Sequence, residues 1–336
     1  MKGMLRLAVC VSLAAAPPTV TAALNSQPGA TTLGDFLNLG AGARAFGMGE
    51  AFVAVADDAT SLYWNPAALT RIKNHDVAAM HAPHYAGSYF DYGAYGKNLG
   101  DWGAYGLGLQ YFSAGAITQT ENGQNVGTVH PYDMAVSAGY AHEFEHVGLD
   151  ILDGFALGLS LKYIRAALLT TASAKALDWG VLSAPYLDGK LRLAASMSNI
   201  GSRIKFDQEA ESLPIMTRLG GAYAIDKNWV VSADVNIARR SASYGSIGTE
   251  FAYPVAGAWR MAMRGGFNSQ TAGNGDGASG LALGIGLGNG RLVFDYGLAP
   301  LATLGFSHRV SLGFKWGDVP RREFERNNRA RRSLRI

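Results

Sequence analysis

The sequence predicts an all-β protein, a 14-stranded antiparallel transmembrane β-barrel preceded by a small N-terminal, partly helical plug. Three observations lead there. Apolar residues alternate with small or polar ones at period two. The alternating stretches number fourteen, each of the length a tilted membrane strand needs. Tight turns and long connections fall at opposite ends.

The alternation is plain in "FALGLSLKY" (155–163), which sets Phe155, Leu157, Leu159, Leu161 and Tyr163 against Gly158, Ser160 and Lys162. "WRMAMRGGF" (259–267) and "VSLGFKW" (310–316) repeat the pattern. Period two marks strands with two unlike faces. The fourteen segments lie near residues 75–82, 88–98, 102–113, 131–142, 155–166, 176–186, 191–200, 216–225, 229–239, 246–253, 259–268, 280–288, 291–299 and 307–316. Residues 75–316 allow about 17 residues per strand plus connection, and a tilted membrane strand takes roughly 9–11 of them.

Turn chemistry agrees. "NLGD" (98–101), "LDGK" (187–190), "IDKN" (225–228) and "GNGR" (288–291) follow even-numbered segments. The longer "SAGAITQTENGQNVGTVH", "GSRIKFDQEAESLP" and "NSQTAGNGDGAS" follow odd ones. Outer-membrane barrels have short periplasmic turns and longer external loops, so both chain ends are expected in the periplasm. A water-facing β-sandwich also alternates, but its outer face should be polar. Here one face carries Leu, Val, Met and aromatics, and the other Gly, Ser and Ala. Closure into a barrel satisfies every backbone group in lipid.

Composition fits. Charged residues make up only 16% of the chain, glycines number 43, and aromatics reach 10%. Residues 1–23 read as a signal peptide: Lys2 and Arg6 precede the apolar "LAVCVSLAAA", and small residues follow at Ala22 and Ala23. Cys10, the single cysteine, lies within this segment beside Val9, which disfavours lipidation and leaves no thiol for later chemistry. The formal net charge is +3. Residues 1–23 contribute +2 of it and residues 317–336 a further +4, leaving −3 between. The basic excess is a tail, expected to be a disordered periplasmic extension, and no nucleic-acid surface is implied.

Two motifs imitate other chemistry. "GAGARA" (40–45) opens like a dinucleotide loop, but that loop must follow a buried strand and begin a helix. "HEFEH" (142–146) matches the zinc-protease pattern, which needs a helix. On an extended backbone His142 and His146 stand about 13 Å apart. No serine sits in a nucleophile elbow. The reading is non-enzymatic, with no cofactor and no metal.

Residues 24–74 form the expected plug. Its apolar residues, Phe36, Leu37, Leu39, Phe46, Met48, Phe52, Val53, Val55, Leu62, Tyr63, Trp64 and Leu69 among them, need cover. A 14-stranded lumen is too wide for its wall to fill. Gly40, Gly42, Gly47 and Gly49 permit close approach and tight bends. Asp57 and Asp58 suit a helix cap or a cationic partner. Asn65-Pro66 marks a sharp turn before the first strand. Alternation sends Asp234, Glu250 and Arg264 inward at mid-depth, with Arg218, Arg260, Asp295 and Arg309 also inward. Charges on adjacent strands are expected to pair, or to meet Arg44, Glu50, Asp57 and Asp58 of the plug. They would then form a self-satisfied lattice or guide a substrate.

The stretch "FLNLGAGARAFGMGEAFVAVADDATSLYWNPAAL" (36–69) resembles the N-terminal signature of the PorV/PorQ family, within the wider FadL-like superfamily. The matching residues are Gly40, Gly42, Arg44, Gly47, Gly49, Ala51, Ala56-Asp57-Asp58-Ala59 and Asn65-Pro66-Ala67. The resemblance implies a 14-stranded barrel with an N-terminal hatch in the bacterial outer membrane, in contact with its lipid. For PorV-like members it implies service in type IX secretion, with secretion-system proteins or exported cargo as partners. For FadL-like members it implies passive uptake of hydrophobic small molecules. The outer loops here are short for a channel of that kind, and an Arg-rich tail follows Trp316 where many barrels end on an aromatic. Partner-binding in secretion is the expected function and the plugged channel the alternative.

Overall fold

The computed structural model describes residues 34–318, apart from 122, 145–152, 169, 207–208, 273–277 and 301–304. The expected signal peptide, residues 24–33 of the expected plug, His146 and the expected tail beyond Asp318 lie outside the described residues.

Fourteen strands close a barrel. In chain order they are β1 (His75–Pro83), β2 (Tyr89–Asn98), β3 (Ala104–Ser113), β6 (Tyr132–Phe144), β7 (Phe155–Ala167), β8 (Thr171–Leu182), β9 (Leu191–Gly201), β12 (Met216–Ala224), β13 (Trp229–Ala238), β14 (Tyr244–Ala256), β15 (Trp259–Asn268), β16 (Leu281–Gly288), β17 (Leu292–Pro300) and β18 (Phe306–Trp316). Every pairing is antiparallel between neighbours, and β1 meets β18 with His75 opposite Trp316. Closure leaves no edge strand, as a hydrocarbon surround requires. Two further pairs, β4 (Ile117–Glu121) with β5 (Gln124–Val129) and β10 (Ile204–Phe206) with β11 (Glu209–Glu211), form hairpins within the long connections after β3 and β9.

The two faces follow the alternation. Leu157, Leu159 and Leu161 of β7 are 48–67% exposed, whereas the alternate residues Ser160 and Lys162 are buried. Large exposed apolar side chains such as Leu283, Ile285, Phe294 and Leu312 continue the outer surface on other strands. Aromatics gather at the turn end, where His75 stacks on Trp316 at 4.9 Å.

The inward face is small because the N-terminal segment fills the lumen. Short helices at Asp35–Asn38, Ala43–Gly47, Ser61–Trp64 and Pro66–Arg71 are linked by irregular backbone. Phe36, Leu37, Met48, Phe52, Tyr63, Trp64 and Leu69 are all buried. The barrel's ends, His75 and Trp316, lie together at the turn end. Gly34 lies at the loop end, against Leu213 and Pro214. The segment thus runs through the lumen from loop end to turn end. At the loop end, fully buried Ile204 and nearly buried Leu213 join the core around Phe36 and Leu37, so the connection after β9 covers the lumen.

Candidate functional site

Wall side chains hold the plug's backbone. Asp234 accepts from Phe52 N at 2.7 Å and Val53 N at 2.9 Å. Ser232 Oγ donates to Ala51 O at 2.7 Å and Ser196 Oγ to Trp64 O at 2.9 Å. Ser311 Oγ accepts from Ala43 N at 2.7 Å. The plug has too little regular structure to satisfy its own backbone, so the lumen supplies partners that water would otherwise provide.

A charged chain crosses from plug to wall. Arg44 forks onto Glu250, with Nε and Nη2 each 2.8 Å from a carboxylate oxygen, and Nη1 reaches Asp57 at 2.6 Å. Glu250 also accepts from Arg264 at 2.6 Å, and Arg264 reaches Asp295 at 2.8 Å. Bidentate pairing of this kind is strong and fixes geometry. On the other flank, Arg309 donates to Gly40 O at 3.1 Å, pairs with Glu50 at 3.3 Å and lies 3.9 Å over the Phe46 ring. Arg218 covers the Tyr63 and Trp64 rings and donates to Ser198.

These surroundings set the plug's ionisation. Burial alone would weaken the charge on Arg44, but Asp57 and Glu250 hold its pKa well above the ordinary value. Burial likewise works against ionised Asp57, and Arg44, Arg71 and Lys315 more than offset it, leaving its carboxyl below the usual range. Burial raises Glu50, which Arg309 and Arg218 only partly counter. It brings Arg71 down to about 10 against the pull of Asp57.

The structure brings the predicted residues together, though not all in one way. Arg44, Asp57 and Glu250 share one network. Asp58 caps locally, accepting from Thr60 N at 2.8 Å, with Arg44 3.8 Å away. Asn65 caps the helix Pro66–Arg71 by accepting from Ala67 N, and its amide donates to Val53 O and Val181 O. Gly40, Gly42 and Gly49 have φ of +76°, +90° and +63°. Gly47 instead serves close approach, since a Cβ there would stand 2.8 Å from Gly284 Cα. Pro66 and Ala67 press against Gly158 of β7. Arg260 stands apart, exposed near the turn end and donating to Asn228 Oδ1 and Ala252 O.

Other functional polar groups escaped the sequence reading. Lys162 and Asp178, 3% and 1% exposed, pair at 2.7 Å beside Asn199. Lys162 had a visible signal, a lysine in mid-strand on the small-residue face. Arg71 Nη1 donates to the carbonyls of Ala54, Val55 and Ala56. Lys315 pairs with buried Asp76 at 3.2 Å.

A cavity of about 230 Å³ remains between the plug and strands β14–β18 and β1. Its lining includes Arg44, Asp58, Asp76, Glu250, Arg260, Arg264, Asp295 and Lys315, among small wall residues such as Ala262, Gly286 and Gly313. Its lining sets these charges among apolar and small residues, Met80, Tyr92, Leu287, Val293 and Leu312 among them, and the apolar part is the larger. Among the described residues no cluster of metal-ligating side chains occurs, and no helix is long and apolar enough to cross a membrane.

A family model described as the type IX secretion system protein PorV matches residues 23–241. Among solved structures the chain is similar to the toluene transporter TodX of Pseudomonas putida, at 12% identity and a TM-score of 0.52, covering 82% of this chain and 99% of that one. It is similar to a Pseudomonas aeruginosa FadL homologue at 9% identity and a TM-score of 0.50, covering 82% and 98%. The CymD monoaromatic hydrocarbon channel matches at 12% identity and 0.51, also covering 82% and 98%. Likeness at such identities is one of fold. No curated protein matches the chain by sequence.

Proposed function

Because the chain belongs to the PorV family of type IX secretion proteins, we propose that this non-enzymatic outer-membrane barrel serves protein secretion by binding partners, with its turn end in the periplasm and its loop end outside. The locked plug carries this reading. Arg44 is forked onto Glu250, and Asp234 holds two consecutive plug amides. A barrel whose lumen is tied shut by charges offers its rims and loops to proteins more readily than it offers a path.

The alternative, passive uptake of hydrophobic small molecules, draws on the likeness to hydrocarbon channels. The charged side chains that interrupt the largely apolar lining of the remaining cavity count against it. Native mass spectrometry of gently extracted protein separates the two. Secretion-system proteins or exported cargo should co-purify. A retained apolar molecule with no protein partner would overturn the proposal, as would measurable flux of such a molecule through reconstituted barrels.

A further inference from the structure

The exposed cations of the loop end are unevenly placed. In the seven connections there, the Lys and Arg residues are Arg203, Lys205, Arg239 and Arg240, and all fall between β9 and β14. The connections after β1, β3, β15 and β17 contain none. Two strand residues extend the same arc, since Arg165 of β7 and Lys175 of β8 are exposed. On the far side, the loop-end charge of β2 is acidic Asp91, paired with His81.

Four of these cations share one corner. Arg165 lies opposite Ser173, and Lys175 opposite Tyr163. Ser202 N donates to Lys175 O, which brings the start of the next connection alongside β8. Ile204 is fully buried in the core, so alternation turns its neighbours Arg203 and Lys205 away from the lumen, and both are exposed. Arg240 differs, being engaged by Glu211 and Ser212 O.

Depth makes the corner meaningful. On β7 the outward series from the turn end is Phe155, Leu157, Leu159, Leu161, Tyr163, Arg165. Ten residues at roughly 3.4 Å along a strand tilted about 40° climb about 26 Å. The apolar band of an outer-membrane barrel is about 25 Å tall. Arg165 therefore emerges where hydrocarbon gives way to headgroups, just past an interfacial tyrosine, and Lys175 beside it has a stem long enough to reach the same level. Cations at that level favour anionic lipid.

We propose that Arg165, Lys175, Arg203 and Lys205 form a binding site for the phosphate groups of an outer-leaflet glycolipid of the lipid A kind. Phosphates crowded in one leaflet repel one another, and four cations, two on the wall and two on the connection beside it, relieve that repulsion without a bridging metal. The site would fix one flank of the barrel to glycolipid and leave free the arc whose connections carry no Lys or Arg. The inference rests on the loop end facing outward.

The test uses the purified full chain in phosphatidylcholine nanodiscs containing diphosphoryl lipid A, with bound lipid read by native mass spectrometry. The wild type should retain lipid A, and should retain its dephosphorylated form at least tenfold less. The variant R165Q/K175Q/R203Q/K205Q should lose at least tenfold, and K190Q/K227Q/R291Q at the turn end should match wild type. Heat-modifiable gel mobility checks folding, and R165E alone should weaken retention severalfold should the quadruple variant not fold. Equal retention by the loop-end variants, indifference to the phosphates, or an equal loss in the turn-end variant would overturn the site. Labelling of cysteines placed at Lys205 and Lys227 in whole cells reads orientation separately, so a failed orientation is distinguishable from a failed site.

Discussion

Gly47→Ala is the sharpest probe of the plug's seat. The added Cβ would stand 2.8 Å from Gly284 Cα and 3.1 Å from Gly284 N, both backbone atoms that cannot rotate away. Ordinary contact begins near 3.4 Å, so plug and wall must separate by about 0.6 Å. That stretches the Ala43 N to Ser311 Oγ bond beyond its present 2.7 Å and misaligns the Arg44 fork beside it. Overpacking costs about 1–3 kcal/mol, and with these bonds strained about 2 kcal/mol is expected. That is close to thirtyfold in the equilibrium between docked and released plug. Hydrogen exchange in micelles should show amides 43–53 opening about thirtyfold more often. Gly93→Ala, whose Cβ meets nothing within 4 Å, should leave them unchanged. Protection in Gly47→Ala within threefold of wild type would refute the close approach.

Asp234→Ala removes the acceptor of two buried amides and should cost about 3 kcal/mol, two charge-assisted bonds at about 1.5 each; unchanged exchange at Phe52 and Val53 would contradict it. Lys162→Met strands Asp178 and should cost about 3–5 kcal/mol in urea unfolding, whereas adding Asp178→Leu should recover most of the loss. Acid should loosen the plug. Asp57 has a folded-state pKa below its ordinary 3.8, so its contribution is complete above that pH and drains as pH falls further. Since its side chain is 37% exposed the effect should be modest, and Asp57→Asn should flatten the exchange profile below about pH 4.

Much of the barrel was legible because lipid and lumen impose opposite demands on successive residues. The segments read at 191–200, 229–239 and 259–268 lie within a residue of the observed strands. The segment read at 176–186 is Thr171–Leu182 instead. Its first half, "TASAK", has short side chains up to Lys175 and little apolar contrast, while beyond Leu182 the chain keeps only a single bridge, Tyr186 to Leu191. The β4–β5 hairpin was read as a polar connection because its alternation is weak, "ITQTE" and "QNVGTV" being exposed nearly throughout, and the β10–β11 pair because its strands span only three residues each. The plug's course was not legible at all. Its helices span four to six residues, too short to show a period. That the lumen charges point inward follows from period two. Which of them meet depends on register and on the path of the plug, and neither is written locally. Arg44 finding Glu250 across 206 residues is the clearest instance.

The same lattice bears on how often the lumen opens. Releasing the plug from β13–β18 breaks at least four charge-assisted bonds: two from Arg44 to Glu250 and two from plug amides to Asp234. Even at about 1.5 kcal/mol each, water regaining the groups leaves roughly 6 kcal/mol to supply, or about one open barrel in twenty-five thousand. Passive diffusion has no energy source for that step. A protein partner does, provided it binds the released plug more tightly than the docked one, because a ligand shifts an equilibrium only by its differential affinity. Arg44→Met therefore discriminates between roles: with the fork gone, apolar flux through reconstituted barrels should remain absent if the lumen is only a structural seat, and should rise more than tenfold if the plug is a gate.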